Sequence, residues 1–180
     1  MKEKVYEVHS RVTFETAEFS IREDTVIHAN GQQEIHEILQ SPEGVLILPL
    51  TREGNIILTK EYRHNHGLVY GVPMGKKEKN DINPLAAAKR EIKEEVGLSA
   101  TKWTLVSTHY NGIHEEGYNY FYIAEGLLHG DHKHDVDENI EKVEMTFEDA
   151  FKLMDEGKIV DLPSRACIWA GYIHVQNRSK

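Results

Sequence analysis

Residues 75–98 read GKKEKNDINPLAAAKREIKEEVGL, and the second half of that stretch spells a helix with an acidic flank. Asn83-Pro84 offers an N-cap followed by proline at the first helical position, where a missing N–H leaves nothing unpaired. Gly97 offers the left-handed residue on which helices end. The pattern therefore predicts a helix over about residues 84–96. Leu85, Ala88, Ile92 and Val96 then share one apolar stripe, and Glu91, Glu94 and Glu95 cluster on the neighbouring face. Three carboxylates so close repel one another. Two readings fit them. One is a solvated acidic face, with Arg90 offsetting part of the repulsion through an i, i+4 pair with Glu94. The other is a site for hard divalent cations, Mg²⁺ or Mn²⁺, whose preferred donors are clustered carboxylate oxygens.

Outward from this helix the chain is mostly strand-like. Toward the N-terminus, Val12–Phe19 and Thr25–Ala29 are rich in β-branched and aromatic residues, and Asn30-Gly31 signals a hairpin into Gln33–Leu39. Ser41-Pro42-Glu43-Gly44 punctuates the chain, which predicts an N-terminal β-sheet subdomain over residues 1–41 and a main domain over 42–180. Val45–Leu50 and Asn55–Tyr62 form two further runs, expected as a hairpin about Arg52-Glu53-Gly54. Leu68–Val72 is a short strand closed by Pro73. Beyond the helix, strands are expected at Trp103–Thr108, Asn119–Ala124 and Ile140–Met145. Thr146-Phe147-Glu148-Asp149 resembles a capping box and opens a helix to about Glu156. A last helix fits Pro163–Val175, with Ile168, Trp169, Tyr172 and Ile173 on one face. Strands with interspersed helices and no regular alternation predict an α/β (α+β) sandwich built on a mixed sheet.

Composition narrows the function classes. The 180 residues carry 30 Asp and Glu against 21 Lys and Arg, a net charge of −9. That length suits one domain, with room for a small accessory sheet. An acidic chain is a poor partner for nucleic acid, and its sign is also unfavourable for phosphates. The single cysteine, Cys167, permits no intrachain disulfide, and the N-terminus lacks the apolar block of a signal peptide. The longest apolar run, Val45–Leu50, is too short to span a bilayer. A cytoplasmic location without membrane association is the expectation. Gly71-Val72-Pro73-Met74-Gly75-Lys76 superficially suggests a phosphate-binding loop, but its spacing is short by one residue and no Ser or Thr follows the lysine. His129, His132 and His134 have the spacing of metal ligands without the Cys or H-E-x-x-H partners that would support zinc. Cys167 sits in an apolar helix with no nearby histidine, which suits packing better than nucleophilic chemistry.

The context of the acidic helix resembles the Nudix box, whose pattern is Gly, five residues, Glu, seven residues, then Arg-Glu-apolar-x-Glu-Glu-x-Gly-apolar. Arg90-Glu91-Ile92-Lys93-Glu94-Glu95-Val96-Gly97-Leu98 matches the second half at every specified position. The first half departs twice. Asp81 stands for the first glutamate, and one extra residue precedes Arg90, in the loop before the helix. Nudix enzymes hydrolyse a nucleoside diphosphate linked to another group by attack of water on phosphorus. The resemblance implies an α/β/α sandwich, Mg²⁺ or Mn²⁺, and metal ligation by Glu91, Glu95 and the backbone carbonyl of Met74. It also implies that Glu94 is a further ligand or water holder and that Arg90 orients a helix carboxylate.

Other stretches resemble the ADP-ribose/nucleotide-sugar pyrophosphatase branch of that family. They are Val45–Leu50, Glu61-Tyr62-Arg63, Val72-Pro73-Met74-Gly75, Asp137-Glu138-Asn139-Ile140-Glu141, and Glu156-Gly157-Lys158-Ile159-Val160-Asp161. This implies Arg63 and Gly75 as substrate-binding positions and Glu138 as a catalytic base or water-orienting group. It also implies a homodimer formed through the N-terminal sheet. Where the branch usually carries Ser-Pro-Gly, this chain reads Tyr110-Asn111-Gly112-Ile113-His114-Glu115-Glu116. A nucleoside diphosphate-linked substrate is therefore expected, with ADP-ribose, ADP-glucose and GDP-mannose all open, and Glu115 or Glu116 is one more acidic candidate. Two alternatives stand beside this: a Nudix-fold nucleotide-binding or regulatory module, and a nucleoside triphosphate pyrophosphohydrolase that cleans the nucleotide pool. With divalent ions bound the local field at the carboxylates reverses. Without them, a phosphate substrate should bind this acidic chain poorly.

Overall fold

The computed structural model describes residues 6–129 and 140–178. It divides into two compact units, one comprising the chain up to Glu43 with His109–Asn119, the other comprising Gly44–Thr108 and the chain from Tyr120 onward.

The first unit is an antiparallel meander of β1 (Tyr6–Glu15), β2 (Ser20–His28) and β3 (Gln33–Gln40), with Leu39 and Gln40 pairing in parallel with Glu115 and Glu116 at the start of β9 (Glu115–His129). Asn30-Gly31 makes the hairpin its composition predicts. The expected strand Val12–Phe19 is broken instead by a turn, because the Thr16 hydroxyl accepts the N–H groups of Glu18 and Phe19 at 3.1 and 3.0 Å. A threonine that bonds its own backbone competes with the sheet ladder and here prevails.

The second unit explains its layers through alternation. In β4 (Gly44–Pro49) and the residue after it, Leu46, Leu48 and Leu50 pack with the residues of α2 (Phe147–Asp155) and α3 (Leu162–Arg178). Val45 and Ile47 point the other way, into a cluster with Ala87, Ala88, Ile92 and Val96 of α1 (Pro84–Val96). In the same way β5 (Ile56–Arg63) splits Ile56 and Leu58 from Ile57, and β9 splits Phe121 and Ile123 from Tyr122 and Ala124. A strand covered on both faces reads as an unbroken apolar run rather than an alternating one. The architecture is the mixed α+β sandwich that the sequence predicts, with helices on both sides of the sheet.

One expected hairpin does not form as a ladder. The turn at Arg52-Glu53-Gly54 exists, but β4 and β5 share only the bridge Leu50–Ile56. The Leu50 N–H goes to the carbonyl of Ala124 in β9, so β4 pairs with β9 and with β7 (Met74–Lys76). β5 joins a separate three-stranded sheet with β6 (Gly67–Gly71) and β10 (Glu141–Met145). The strands expected at Trp103–Thr108 and Asn119–Ala124 are parts of longer ones, β8 (Leu98–Gly112) and β9. In α3 the predicted face is half right: Ile168 is buried and Tyr172 packs on the core, but Trp169 and Ile173 are half-exposed, Ser164, Cys167 and Gly171 are buried in their place, and Trp169 stacks on Phe151 of α2 at 4.3 Å between ring centroids.

α1 has the predicted bounds. The Asn83 side chain accepts the Ala86 N–H at 2.9 Å, Pro84 follows, and Gly97 closes the helix at φ 62°. Among the described residues no helix is long and apolar enough to cross a membrane.

Candidate active site

The acidic face of α1 meets the short strand β7, and the meeting requires glycine. A Cβ on Gly75 would collide with the Glu91 carboxylate, so the missing side chain is what lets that carboxylate lie against the backbone. Only 12% of the Glu91 side chain is exposed. Burial pushes its carboxyl up to about 7, with the Arg90 charge pulling the other way and Glu94 and Glu78 adding to the rise.

Arg90 ties the face together. Its guanidinium donates to Glu91 Oε1 and Glu94 Oε2, both at 2.8 Å, to the Lys76 carbonyl at 2.9 Å and to Asp81 Oδ2 at 3.0 Å. Asp81 also accepts the Glu78 N–H at 2.9 Å, and the Arg90 hydrogen bond, foremost, holds its carboxyl below the usual range. The i, i+4 pair predicted for Arg90 and Glu94 is thus one arm of a four-way grip. Glu95 is engaged separately: its Oε2 accepts the Met74 N–H at 3.0 Å.

Glu95 also lines a cleft of about 300 Å³ whose walls include Arg63, Tyr70, Gly71, Met74 and Asp161. Arg63 donates to Glu61 at 2.8 Å within it, which leaves most of its fork available. One member of this wall, Asp161, has no role among the sequence-based expectations. Asp161 caps α3 by accepting the Ser164 N–H at 2.7 Å, and the fully buried Ser164 hydroxyl accepts the Val72 N–H at 3.2 Å. The stretch Glu156–Asp161 resembles the pyrophosphatase branch, but that resemblance gave Asp161 no role, and the Asp-x-x-Ser spacing at a helix start was the further signal.

The remaining candidates fall elsewhere. Glu138 lies outside the described residues, as do Asp137, His132 and His134. Glu115 and Glu116 belong to the first unit. There Ser41 and Asn111 hydrogen-bond Glu115, and Arg22 and Gln40 hydrogen-bond Glu116. His129 lines a different cavity with Arg52 and Lys142. Cys167 is buried in the core and burial pushes its thiol up, away from thiolate chemistry. The Gly71–Lys76 segment leads into β7 rather than a helix, which disposes of the phosphate-loop likeness.

Among the described residues no three His, Cys, Asp or Glu side chains converge on one point. The donor set nonetheless suits a hard divalent cation. Its carboxylates offer only oxygen, they share one face of one helix, and the buried Glu91 shares its cationic partner, Arg90, with Glu94 and Asp81.

A family model described as the NUDIX domain matches residues 40–162. The chain belongs to the Nudix family. It is a Nudix hydrolase similar to the ADP-ribose pyrophosphatases. It is 35% identical over 137 residues to the ADP-ribose pyrophosphatase of Bacillus subtilis (strain 168), covering 73% of each chain. It is 28% identical over 162 residues to the methanol dehydrogenase activator of Bacillus methanolicus, covering 87% of this chain and 85% of that one. A solved structure described as an ADP compounds hydrolase superposes with a TM-score of 0.83 at 17% identity, covering 99% of this chain and 97% of that one. At that identity the likeness shows a shared fold.

Proposed function

We propose that this Nudix hydrolase cleaves the pyrophosphate of a nucleoside diphosphate joined to a sugar, ADP-ribose foremost, with Mg²⁺ or Mn²⁺, to give a nucleoside monophosphate and a sugar phosphate. The observation that carries this reading is the Glu91 carboxylate lodged against Gly75 beside Glu95, which itself lines the cleft that holds Arg63. The Bacillus subtilis relative, an ADP-ribose pyrophosphatase, supports ADP-ribose within the class.

A divalent cation bound there would neutralise pyrophosphate charge and make a bound water a better nucleophile at neutral pH. The chain's own groups do the rest. Glu91 and Glu95 supply oxygen donors, with Glu94 and the Met74 carbonyl as further ones. Arg90 holds Glu91 and Glu94 in place through its 2.8 Å bonds. Arg63 offers a planar fork to phosphate oxygens. Water adds to one phosphorus, the bridging P–O bond breaks, and the water proton passes to a base, for which Glu138 is our candidate.

The test is Glu95→Gln. Glutamine keeps an oxygen to accept the Met74 N–H but removes the charge, so the variant should fold with an unchanged melting temperature. Its turnover of ADP-ribose should fall roughly 100-fold or more. Unchanged turnover would sink the assignment. Wild-type protein should release phosphate-containing products from ADP-ribose or a nucleotide sugar faster than from nucleoside triphosphates.

A further inference from the structure

The cleft has one carboxylate oxygen that nothing yet described uses. Asp161 directs Oδ1 to the Ser164 N–H, while Oδ2 has no hydrogen-bond partner among the described residues. Oδ2 lies over Gly71: a Cβ there would stand 3.7 Å from it and 3.1 Å from the Ser164 hydroxyl. Both Gly71 and Asp161 line the cleft that Glu95 and Arg63 line. The position of Asp161 is fixed from two sides. The cap to Ser164 sets its rotamer, and the bond from the Val72 N–H to the Ser164 hydroxyl ties the first turn of α3 to the segment that runs into Gly75.

A fixed carboxylate oxygen beside an anion-binding site is selective by sign. It repels a phosphoryl group and accepts hydrogen bonds from hydroxyls. We infer that Asp161 is a substrate-contacting specificity residue that accepts a sugar hydroxyl through Oδ2, and that it favours a hydroxyl-rich neutral group over a further phosphate in this part of the cleft. The inference rests on the proposed nucleotide-sugar reading and names the residue that would read the sugar.

The experiment is Asp161→Asn. Asparagine caps helices about as well as aspartate, so the fold should survive with a melting temperature within a few degrees of wild type. Its oxygen would keep the Ser164 N–H and its amide would face the cleft as a donor. Titration calorimetry would compare two probes that cannot be hydrolysed: ADP-ribose with a methylene bridge between its phosphorus atoms, and methylenebisphosphonate, which has no hydroxyl-bearing sugar. The variant should bind the ADP-ribose analogue about tenfold more weakly and methylenebisphosphonate equally well or better. An unchanged ratio of the two affinities, or no binding of the ADP-ribose analogue by wild type, overturns the inference. If Asp161→Asn does not fold, Asp161→Ser retains a capping oxygen and carries the same expectation. Turnover of ADP-ribose by wild type is measured separately. Its absence would fail the enzymatic reading, whereas the ratio of affinities tests Asp161 alone.

Discussion

At the scale of single residues, the site depends on one side chain that is missing. Gly75 leaves the space into which Glu91 settles, and an added methyl group would occupy it. The clash falls on the end of a flexible side chain, so relief should come from Glu91 swinging away rather than from unfolding. Gly75→Ala should therefore lower kcat/KM for ADP-ribose by roughly 100-fold, the scale at which a misplacement of about 1 Å is felt. The melting temperature should drop by only a few degrees, and near-normal activity in steady-state assays would refute the role given to this contact. Asp81 shows how the departures from the family pattern are absorbed. Its shorter side chain still reaches Arg90 at 3.0 Å, and the Glu78 N–H bond folds the lengthened loop back toward it.

At the scale of elements, legibility followed the reach of the forces involved. α1 was readable to the residue because its cap, first proline and closing glycine act within a few positions of chain. The parting of β4 and β5 was not, because it is decided by where the Leu50 N–H finds Ala124, far along the sequence. The Thr16 turn lay between these cases: its hydroxyl bonds are local, but β-branched composition argued for a strand. The site divides in the same way. Glu91, Glu94 and Glu95 were marked by their spacing on one helix, whereas Asp161 joins Glu95 only through the cleft that both line. A tie to Glu116, distant in sequence, together with one to the near neighbour Asp24, also bears on acid stability in the first unit. Arg22 of β2 donates to Asp24 at 2.8 Å and to Glu116 of β9 at 2.6 and 2.7 Å. These bonds, chiefly from Arg22, hold both carboxyls below their ordinary values. Carboxyls with lowered folded values stabilise above their unfolded range and lose that contribution as pH falls through the folded one. Arg22→Met should thus cost about 1 kcal/mol at pH 7, discounted for the partial exposure of the cluster. The gap from wild type should close below about pH 4.5, and melting curves from pH 3 to 7 that stay parallel would contradict this.

For the whole molecule, two properties bear on assembly and on substrate capture. Val8 and Val12 on β1 are each about half exposed and share one face of this sheet, while the exposed Phe14 and Ile35 lie on the other, so the meander shows apolar side chains that a second copy could bury. We propose a homodimer through this sheet. Sedimentation equilibrium should give twice 20.7 kDa, Val12→Glu should shift it toward the monomer, and a monomeric wild type would rule the dimer out. With a net charge of −9, the chain should bind a phosphate substrate poorly until divalent cations are supplied, as the proposed function requires.

The grip of Arg90 on Glu91, Glu94, Asp81 and the Lys76 carbonyl also separates two events in the life of the chain. An internal counter-charge already braces the acidic helix face, so folding need not wait for an ion to hold it together. A divalent cation held as proposed would be a late and exchangeable addition to a finished scaffold. On the proposed metal-dependent reading, the active fraction would then follow the ambient supply of free divalent ion, rising and falling without any refolding of the chain.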